Sequence, residues 1–275
     1  MALETNGGIS VPAEVIFGIL KTIKLIGLAR ALNKAGFASR SQAEKLVGQG
    51  RVSLNGSVVR DPESPTSEGD VILVDGKPLV AVHKVYLMCN KPRGLVTTAE
   101  DEKGRATVYD CLVGMDLPHV GPVGRLDMAS EGLLLFTNDT QWANGLLDPA
   151  RHVSKTYHVQ IDGNLEPDQI LRMTQGILDE GELLRARSVQ LLREGEKNRW
   201  IEIVLQEGKN REIRRMLKAL GLGVHRLVRI RIGNVLLGDL EKGSVRHLTE
   251  TEVEGLRQPR STPSLPFRKG PRRRF

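Results

Sequence analysis

One segment joins a glycine-rich loop directly to an apolar strand: Gly121-Pro-Val-Gly-Arg-Leu-Asp-Met-Ala-Ser-Glu-Gly-Leu-Leu-Leu-Phe-Thr-Asn-Asp139. The run Gly132–Phe136 predicts a buried β-strand, and the loop before it presents Asp127. Glycine lets a backbone approach a ligand closely. An aspartate in a loop is most often a turn or cap residue, so this segment alone leaves a structural and a catalytic role for Asp127 open.

Around this segment, apolar runs of strand length alternate irregularly with helical patterns. The chain has no strict βαβ rhythm and no glycine-rich nucleotide-binding loop, which disfavours a doubly wound parallel sheet. We therefore predict an α+β fold with a mixed, mainly antiparallel β-sheet flanked by helices. The predicted strands are Val85–Cys89, Gly132–Phe136, Thr156–Ile161, Arg199–Leu205 and Leu227–Ile232, and the predicted helices are Gln141–Leu147, Asp168–Gln175, Arg211–Leu220 and Thr249–Leu256.

The N-terminal part has the pattern of a small, helix-rich module. A first helix from Leu28 ends before Gly36, and Ser41-Gln-Ala-Glu44 predicts a capping box that opens a second helix. Asn55-Gly56 between short apolar runs is typical of a β-hairpin. We predict four regions, namely an N-terminal extension of unknown role at 1–27, a small domain at 28–80, the main domain at 85–254 and a basic disordered tail at 255–275.

Composition narrows the class of protein further. The 275 residues are 40% hydrophobic and 27% charged, which is typical of soluble globular proteins. Near the N-terminus the longest uncharged apolar stretch is Val15–Leu20, far short of a membrane span. Two cysteines form no disulfide framework, and no spacing of His and Cys predicts a zinc site. We expect a cytoplasmic protein with no metal and no membrane association.

Positive charge is concentrated in three segments of a chain whose net charge is +7. Residues 28–60 carry six basic side chains against one glutamate, 209–231 carry eight against one, and 255–275 carry seven with no acid. Three separate basic patches indicate a polyanionic partner such as nucleic acid. Aromatic residues are only 4% of the chain, which disfavours binding of single strands by stacking alone.

Helical spacing gives the second basic segment two faces. Four apolar residues repeat at i, i+3, i+4 and i+7, and four cations repeat on the opposite side. The apolar residues are Ile213, Met216, Leu217 and Leu220, and the cations are Arg211, Arg214, Arg215 and Lys218. The pattern predicts a helix that packs on a core and exposes a cationic ridge.

The N-terminal module resembles a known RNA-binding module that is named after a small-subunit ribosomal protein. Lys34-Ala-Gly-Phe-Ala-Ser-Arg40 and Gly50-Arg51-Val-Ser-Leu-Asn-Gly56 carry this resemblance. In that module the second helix and the turn after it contact phosphates. The resemblance therefore implies that Arg40, Lys45 and Arg51 contact the RNA backbone.

The main domain resembles the pseudouridine synthases, in particular the RsuA/RluB branch that modifies ribosomal RNA. The motifs that carry this resemblance occur in the expected order. They are Lys91-Pro-Arg-Gly94, Gly124-Arg-Leu-Asp-Met-Ala-Ser-Glu-Gly132, Lys155-Thr-Tyr-His-Val159, Asn210-Arg-Glu-Ile-Arg-Arg-Met216 and the segment from Arg231 to Thr249. The resemblance implies that the protein isomerises uridine to pseudouridine without metal or organic cofactor, with Asp127 as the essential carboxylate, acting as nucleophile or base.

The resemblance also implies roles for the residues around Asp127. Arg214 would pair with Asp127 and keep it ionised, while Tyr157 would stack on the target base. The substrate-binding set would be Arg125, Leu126, Ile230 and Ile232, the two isoleucines offering an apolar wall to the uracil. Arg211, Arg215 and Lys218 would contact the RNA backbone.

The expected partner is ribosomal RNA or a ribosome assembly intermediate, bound by a monomer. Two alternatives remain open at the level of sequence. One is a non-catalytic RNA-binding or ribosome-assembly protein on the same fold, and the other is a synthase that acts on transfer RNA.

Overall fold

The computed structural model describes residues 25–80, 82–99, 101–195 and 198–257. Asp127 lies in a loop that leads into the central β-sheet of the main unit. The chain divides into two compact units, Met1–Val82 and His83–Phe275. Most of the predicted N-terminal extension and most of the predicted basic tail lie outside the described residues.

Two helices and a small ribbon form the first unit. The helices are α1 (Leu28–Lys34) and α2 (Arg40–Gly48), and the strands are β1 (Ile26–Gly27), β2 (Val52–Leu54), β3 (Ser57–Val59), β4 (Pro65–Thr66), β5 (Ile72–Val74) and β6 (Lys77–Pro78). The strand order is β3-β2-β5-β6, and β1 pairs with β4. Leu28, Leu32, Val47 and Val52 are fully buried in its core.

Local signals in this unit were predicted with mixed success. Asn55 and Gly56 both have positive φ and join β2 to β3, so the predicted hairpin is confirmed. The predicted capping box was wrong by two residues. Ser39, not Ser41, caps α2 and accepts from the backbone of Gln42, whose side chain accepts from Ser39 in return.

A nine-stranded sheet dominates the second unit. Its strands are β7 (Tyr86–Lys91), β8 (Gly121–Val123), β9 (Glu131–Thr137), β10 (Lys155–Asp162), β13 (Ser188–Glu194), β14 (Asn198–Leu205), β15 (Val224–Ile232), β16 (Val235–Leu236) and β17 (Val245–His247). The order is β13-β14-β10-β15-β9-β7-β17, with β8 on β9 and β16 on β15. Only β9 and β15 are parallel within this sheet, so the predicted mixed, mainly antiparallel α+β fold is confirmed.

Helices cover the sheet on both faces. They are α3 (Thr140–Leu147), α4 (Pro167–Gln175), α5 (Glu212–Ala219) and α6 (Glu250–Arg257), and a hairpin of β11 (Ile177–Asp179) and β12 (Glu182–Leu184) follows α4. Residues of α4 and α5 pack into the core that contains Tyr157, whereas α3 and α6 pack into a second core. The predicted box at Thr249–Glu252 does cap α6. No helix in the described part of the chain is long and apolar enough to cross a membrane.

Candidate active site

Backbone contacts hold the Asp127 loop in place between β8 and β9. The hydroxyl of Thr97 donates to the carbonyl of Leu126 at 2.7 Å, and the Gly94 amide donates to the carbonyl of Met128 at 2.8 Å. The Ser130 amide closes the turn on the carbonyl of Asp127 itself. The Asp127 side chain is 35% exposed, so a pinned loop presents a carboxylate that a substrate can reach.

A fully buried lysine, Lys91, donates hydrogen bonds to the backbone at the end of the same loop. Lys91 ends β7, and its Nζ donates to the carbonyls of Ser130 at 2.8 Å and Pro92 at 3.1 Å. Burial lowers the pKa of Lys91 to about 8, against the raising effect of nearby groups that include Asp127. The sequence motif includes Lys91 but did not predict its structural role. The signal for that role was the position of Lys91 just before Pro92, at the end of an apolar strand.

We expect this buried lysine to make stability depend on alkaline pH. Between about pH 8 and pH 10.5 the unfolded chain holds a proton on Lys91 that the folded chain has lost, so stability rises with pH across this window. Across this window the free energy of unfolding of wild type should rise by up to about 3 kcal/mol more than that of Lys91→Met, at about 1.4 kcal/mol per pKa unit. Urea unfolding of both proteins from pH 7.5 to pH 10.5 measures it, and parallel pH curves would contradict it.

The guanidinium that contacts Asp127 belongs to Arg211 and not to Arg214. Nη1 of Arg211 lies 3.5 Å from Oδ2 of Asp127, while Nη2 of Arg214 donates to the carbonyl of Ala129 at 3.4 Å. The predicted Arg214–Asp127 ion pair is therefore corrected. The reason is local, because Arg211 has a positive φ and precedes α5, so the helical spacing that placed it on the cationic ridge does not apply to it.

Arg214 nonetheless lies within the field of the Asp127 carboxylate. Burial lowers the pKa of the Arg214 guanidinium, as does the positive charge of Arg211, and the negative charge of Asp127 raises it. A half-buried guanidinium and a more exposed one therefore both lie near this carboxylate.

Tyr157 lies in the core next to this loop. The side chain is 8% exposed and belongs to the same apolar cluster as Leu126, which directly precedes Asp127. On the neighbouring strands Tyr157 is paired with Ile203 and Arg229. Arg125, the residue before Leu126 in the chain, is exposed.

The two isoleucines of β15 differ in their surroundings. Ile232 is 5% exposed and packs with Met88, Leu133 and Val235 in the second core. Ile230 is half-buried at a break in the register between β10 and β15. A place for either isoleucine in the uracil pocket stays a prediction.

Arg215 is the cation of the α5 ridge that protein carboxylates hold. It bonds Asp179 at 2.6 Å and Glu182 at 2.5 Å, so we expect its guanidinium to stay with these acids and not to contact RNA. Both acids come from the β11–β12 hairpin, which the sequence did not predict. The Lys218 side chain is exposed and has no ion-pair or hydrogen-bond partner within the described ranges.

In the first unit the three predicted RNA contacts are all on the surface. Arg40 pairs with Glu44 and Glu63, and Arg51 forms a bidentate pair with Asp75 at 2.6 and 2.9 Å. Lys45 is exposed on α2. Exposed ion pairs contribute only about 0–1 kcal/mol, so these arginines can exchange a carboxylate for a phosphate at small cost.

Two family models match the chain in separate segments. The model described as RNA pseudouridylate synthase matches residues 85–219, and the S4 domain matches residues 26–72. An uncharacterized RNA pseudouridine synthase of Rickettsia prowazekii is 37% identical over 82% of this chain and 96% of its own length. The chain belongs to the RNA pseudouridine synthase family.

Other relatives agree with this family and its RsuA/RluB branch. The ribosomal large subunit pseudouridine synthase B of Bacillus subtilis is 37% identical and covers 84% of this chain and 95% of its own length. A solved structure of a pseudouridylate synthase superposes with a TM-score of 0.60 at 31% identity, over 84% of this chain and 99% of that one.

The part of the chain that the structure describes contains no group of three His, Cys, Asp or Glu side chains placed to bind a metal ion. The polar groups around Asp127 are instead cations and backbone carbonyls. The chemistry available at the site is that of one carboxylate, one buried phenol and several positively charged donors.

Proposed function

We propose that this synthase isomerises a uridine of ribosomal RNA, with the carboxylate of Asp127 acting on the substrate. The observation that carries the proposal is the pinned, partly exposed Asp127 beside Arg211 and one residue from the cluster of Tyr157. The glycosidic bond between N1 and the anomeric carbon breaks, the uracil turns in the pocket, and C5 bonds to the same carbon. C5 then releases its proton to solvent and N1 takes up one proton from solvent, so the product is an isomer of the substrate.

We propose that Asp127 acts as nucleophile or as base and that Tyr157 stacks on the uracil. A uridine inside folded RNA has to leave its stack first, at a cost of roughly a few kcal/mol. Contacts with phosphates offset that cost. In the main unit Lys218 and Arg125 are the exposed cations for this task, and in the S4 unit Arg40, Lys45 and Arg51 are.

Relatives that are named as pseudouridine synthases of the ribosomal large subunit support ribosomal RNA as the substrate. We propose that one copy of the chain acts on ribosomal RNA or on an assembly intermediate, and that it needs no cofactor. Pseudouridine mapping in a strain that lacks the gene tests this. One ribosomal site should lose its pseudouridine and regain it with the wild-type gene.

Other results of the mapping would identify a different function. A lost site in transfer RNA would make the protein a transfer RNA synthase. If every pseudouridine persists while the purified protein still binds ribosomal RNA, the protein is a binding or assembly factor.

Within α5, substitution of Lys218 should change RNA binding, whereas substitution of Arg215 should change local stability. Lys218→Met should lower the slope of log affinity against log salt by about 1, because one phosphate contact is lost. Arg215→Met should leave the slope unchanged and instead speed amide exchange in Ile177–Leu184, since it frees two carboxylates from their partner. Filter binding at several salt concentrations and hydrogen exchange measure these effects, and a reduced slope in Arg215→Met would contradict the assignment.

A further inference from the structure

Buried polar atoms without a hydrogen-bond partner are concentrated around the Asp127 loop. Among the described residues they are Ser130 Oγ, Glu212 Oε1, Arg214 Nε and Arg229 Nη2. A buried polar atom without a partner is costly, so native proteins keep few of them. Ser130 belongs to the loop, Glu212 and Arg214 to the start of α5, and Arg229 to the strand beside Tyr157.

Arg229 is the most buried cation of this group. Its residue is 5% exposed, and its Nε donates to the carbonyl of Leu133 at 2.7 Å. Arg229 is paired with Tyr157 across β10 and β15, and directly opposite side chains lie on the same face of a sheet. One anchored nitrogen therefore fixes the guanidinium on the face of the tyrosine, with Nη2 as a free donor.

Lys155 adds a second, half-buried positive charge to this face. It lies two residues before Tyr157 on β10, so both side chains project from the same side of the strand. Burial lowers the pKa of Lys155, the charge of Arg229 lowers it further, and Glu212 raises it. Burial in turn raises the pKa of Glu212, the carboxylate whose charge acts on Lys155.

We propose that Arg229 and Lys155 form a recognition site for a ring carbonyl oxygen of the target uracil. This inference rests on the proposed function. Arg229 is buried and Lys155 is half-buried on the face of Tyr157, the residue proposed to stack on the uracil. Uracil offers carbonyl acceptors at positions 2 and 4. When the glycosidic bond breaks, the electron pair left on the ring spreads onto these oxygens, and fixed cationic donors stabilise it.

The test measures each protein variant on substrates that differ from one another by a single atom. A stem-loop containing the uridine that wild type converts is made with 2-thiouridine or 4-thiouridine at that position, because sulfur is the weaker acceptor. Single-turnover rates are measured for wild type, Arg229→Lys, Lys155→Met and the exposed control Arg172→Lys. Thermal unfolding confirms that each variant is folded, and Lys155→Met keeps the test valid if Arg229→Lys is unstable.

In wild type and in Arg172→Lys, one of the two thio-substitutions should slow conversion about 10-fold or more. In Lys155→Met or Arg229→Lys the rate of conversion of normal uridine should fall by a similar factor. In these variants the same thio-substitution should then lower the rate by less than about a further 3-fold. This coupling identifies the oxygen as position 2 or position 4. If the two effects multiply in full for both thio-RNAs, the residues act only through structure and the inference is wrong. Failure of wild type to convert normal uridine would instead refute the proposed function.

Discussion

Asp127→Asn should lower the rate of pseudouridine formation at least about 10⁴-fold, as is typical when a group that acts directly on the substrate is lost. Asparagine keeps the shape of the side chain but cannot act as nucleophile or base. The ion pair with Arg211 is also lost, but this pair is partly exposed at 3.5 Å and contributes at most about 1 kcal/mol to stability. The expected protein is folded, binds RNA within about 3-fold of wild type and does not turn it over.

Single-turnover conversion with RNA below enzyme concentration, together with filter binding, separates these effects. Asp239→Asn is the matched control, because Asp239 is an exposed aspartate in the same unit and lies outside the described site. It should keep wild-type rates. A rate for Asp127→Asn within about 10-fold of wild type would remove this carboxylate from the mechanism.

Gly132→Ala should have the largest effect on folding. Gly132 has φ of +100°, and a Cβ there would lie 2.3 Å from the carbonyl oxygen and 2.9 Å from the amide nitrogen of Arg229. These are backbone atoms of the one parallel pairing in the sheet, so no side-chain rotation relieves the clash. Backbone strain of about 1–3 kcal/mol and overpacking of about 1–3 kcal/mol together remove much of the stability of a domain.

A thermal melt followed by circular dichroism measures this loss. At about 2–4 °C per kcal/mol, the midpoint of Gly132→Ala should fall by about 5 °C or more, or the protein should be insoluble. Gly121→Ala serves as control, since a Cβ there meets no heavy atom within 4 Å and φ is not positive. Equal midpoints for the two variants would show that β9 can move away from β15.

The central strands were predictable because their apolar runs are uninterrupted. β9 is buried along its whole length, and its predicted span lies within the observed Glu131–Thr137. The β11–β12 hairpin was not predictable, because it mixes acids with outward leucines such as Leu178 and Leu183. Short strands of this kind are defined by their partners in space and not by periodicity.

The site shows the same division between local and long-range information. Asp127, Leu126 and Tyr157 were found through motifs that are local in the chain, and the structure brings their segments together. The partners of Arg215 were not predictable, because Asp179 and Glu182 lie 36 and 33 residues away from it in the chain. The burial of Arg229 was not predictable either, because nothing in the sequence shows that its guanidinium donates to the carbonyl of Leu133 on a neighbouring strand.

Release of tritium from ribosomal RNA labelled at C5 of uracil tests the central claim most directly, because C5 gives up its hydrogen only when it takes over the bond to the sugar. Wild type should release one equivalent of tritium into water for each target uridine, and Asp127→Asn should release none above background. Equal release by both proteins, or none by wild type on RNA taken from a strain without the gene, would contradict the account.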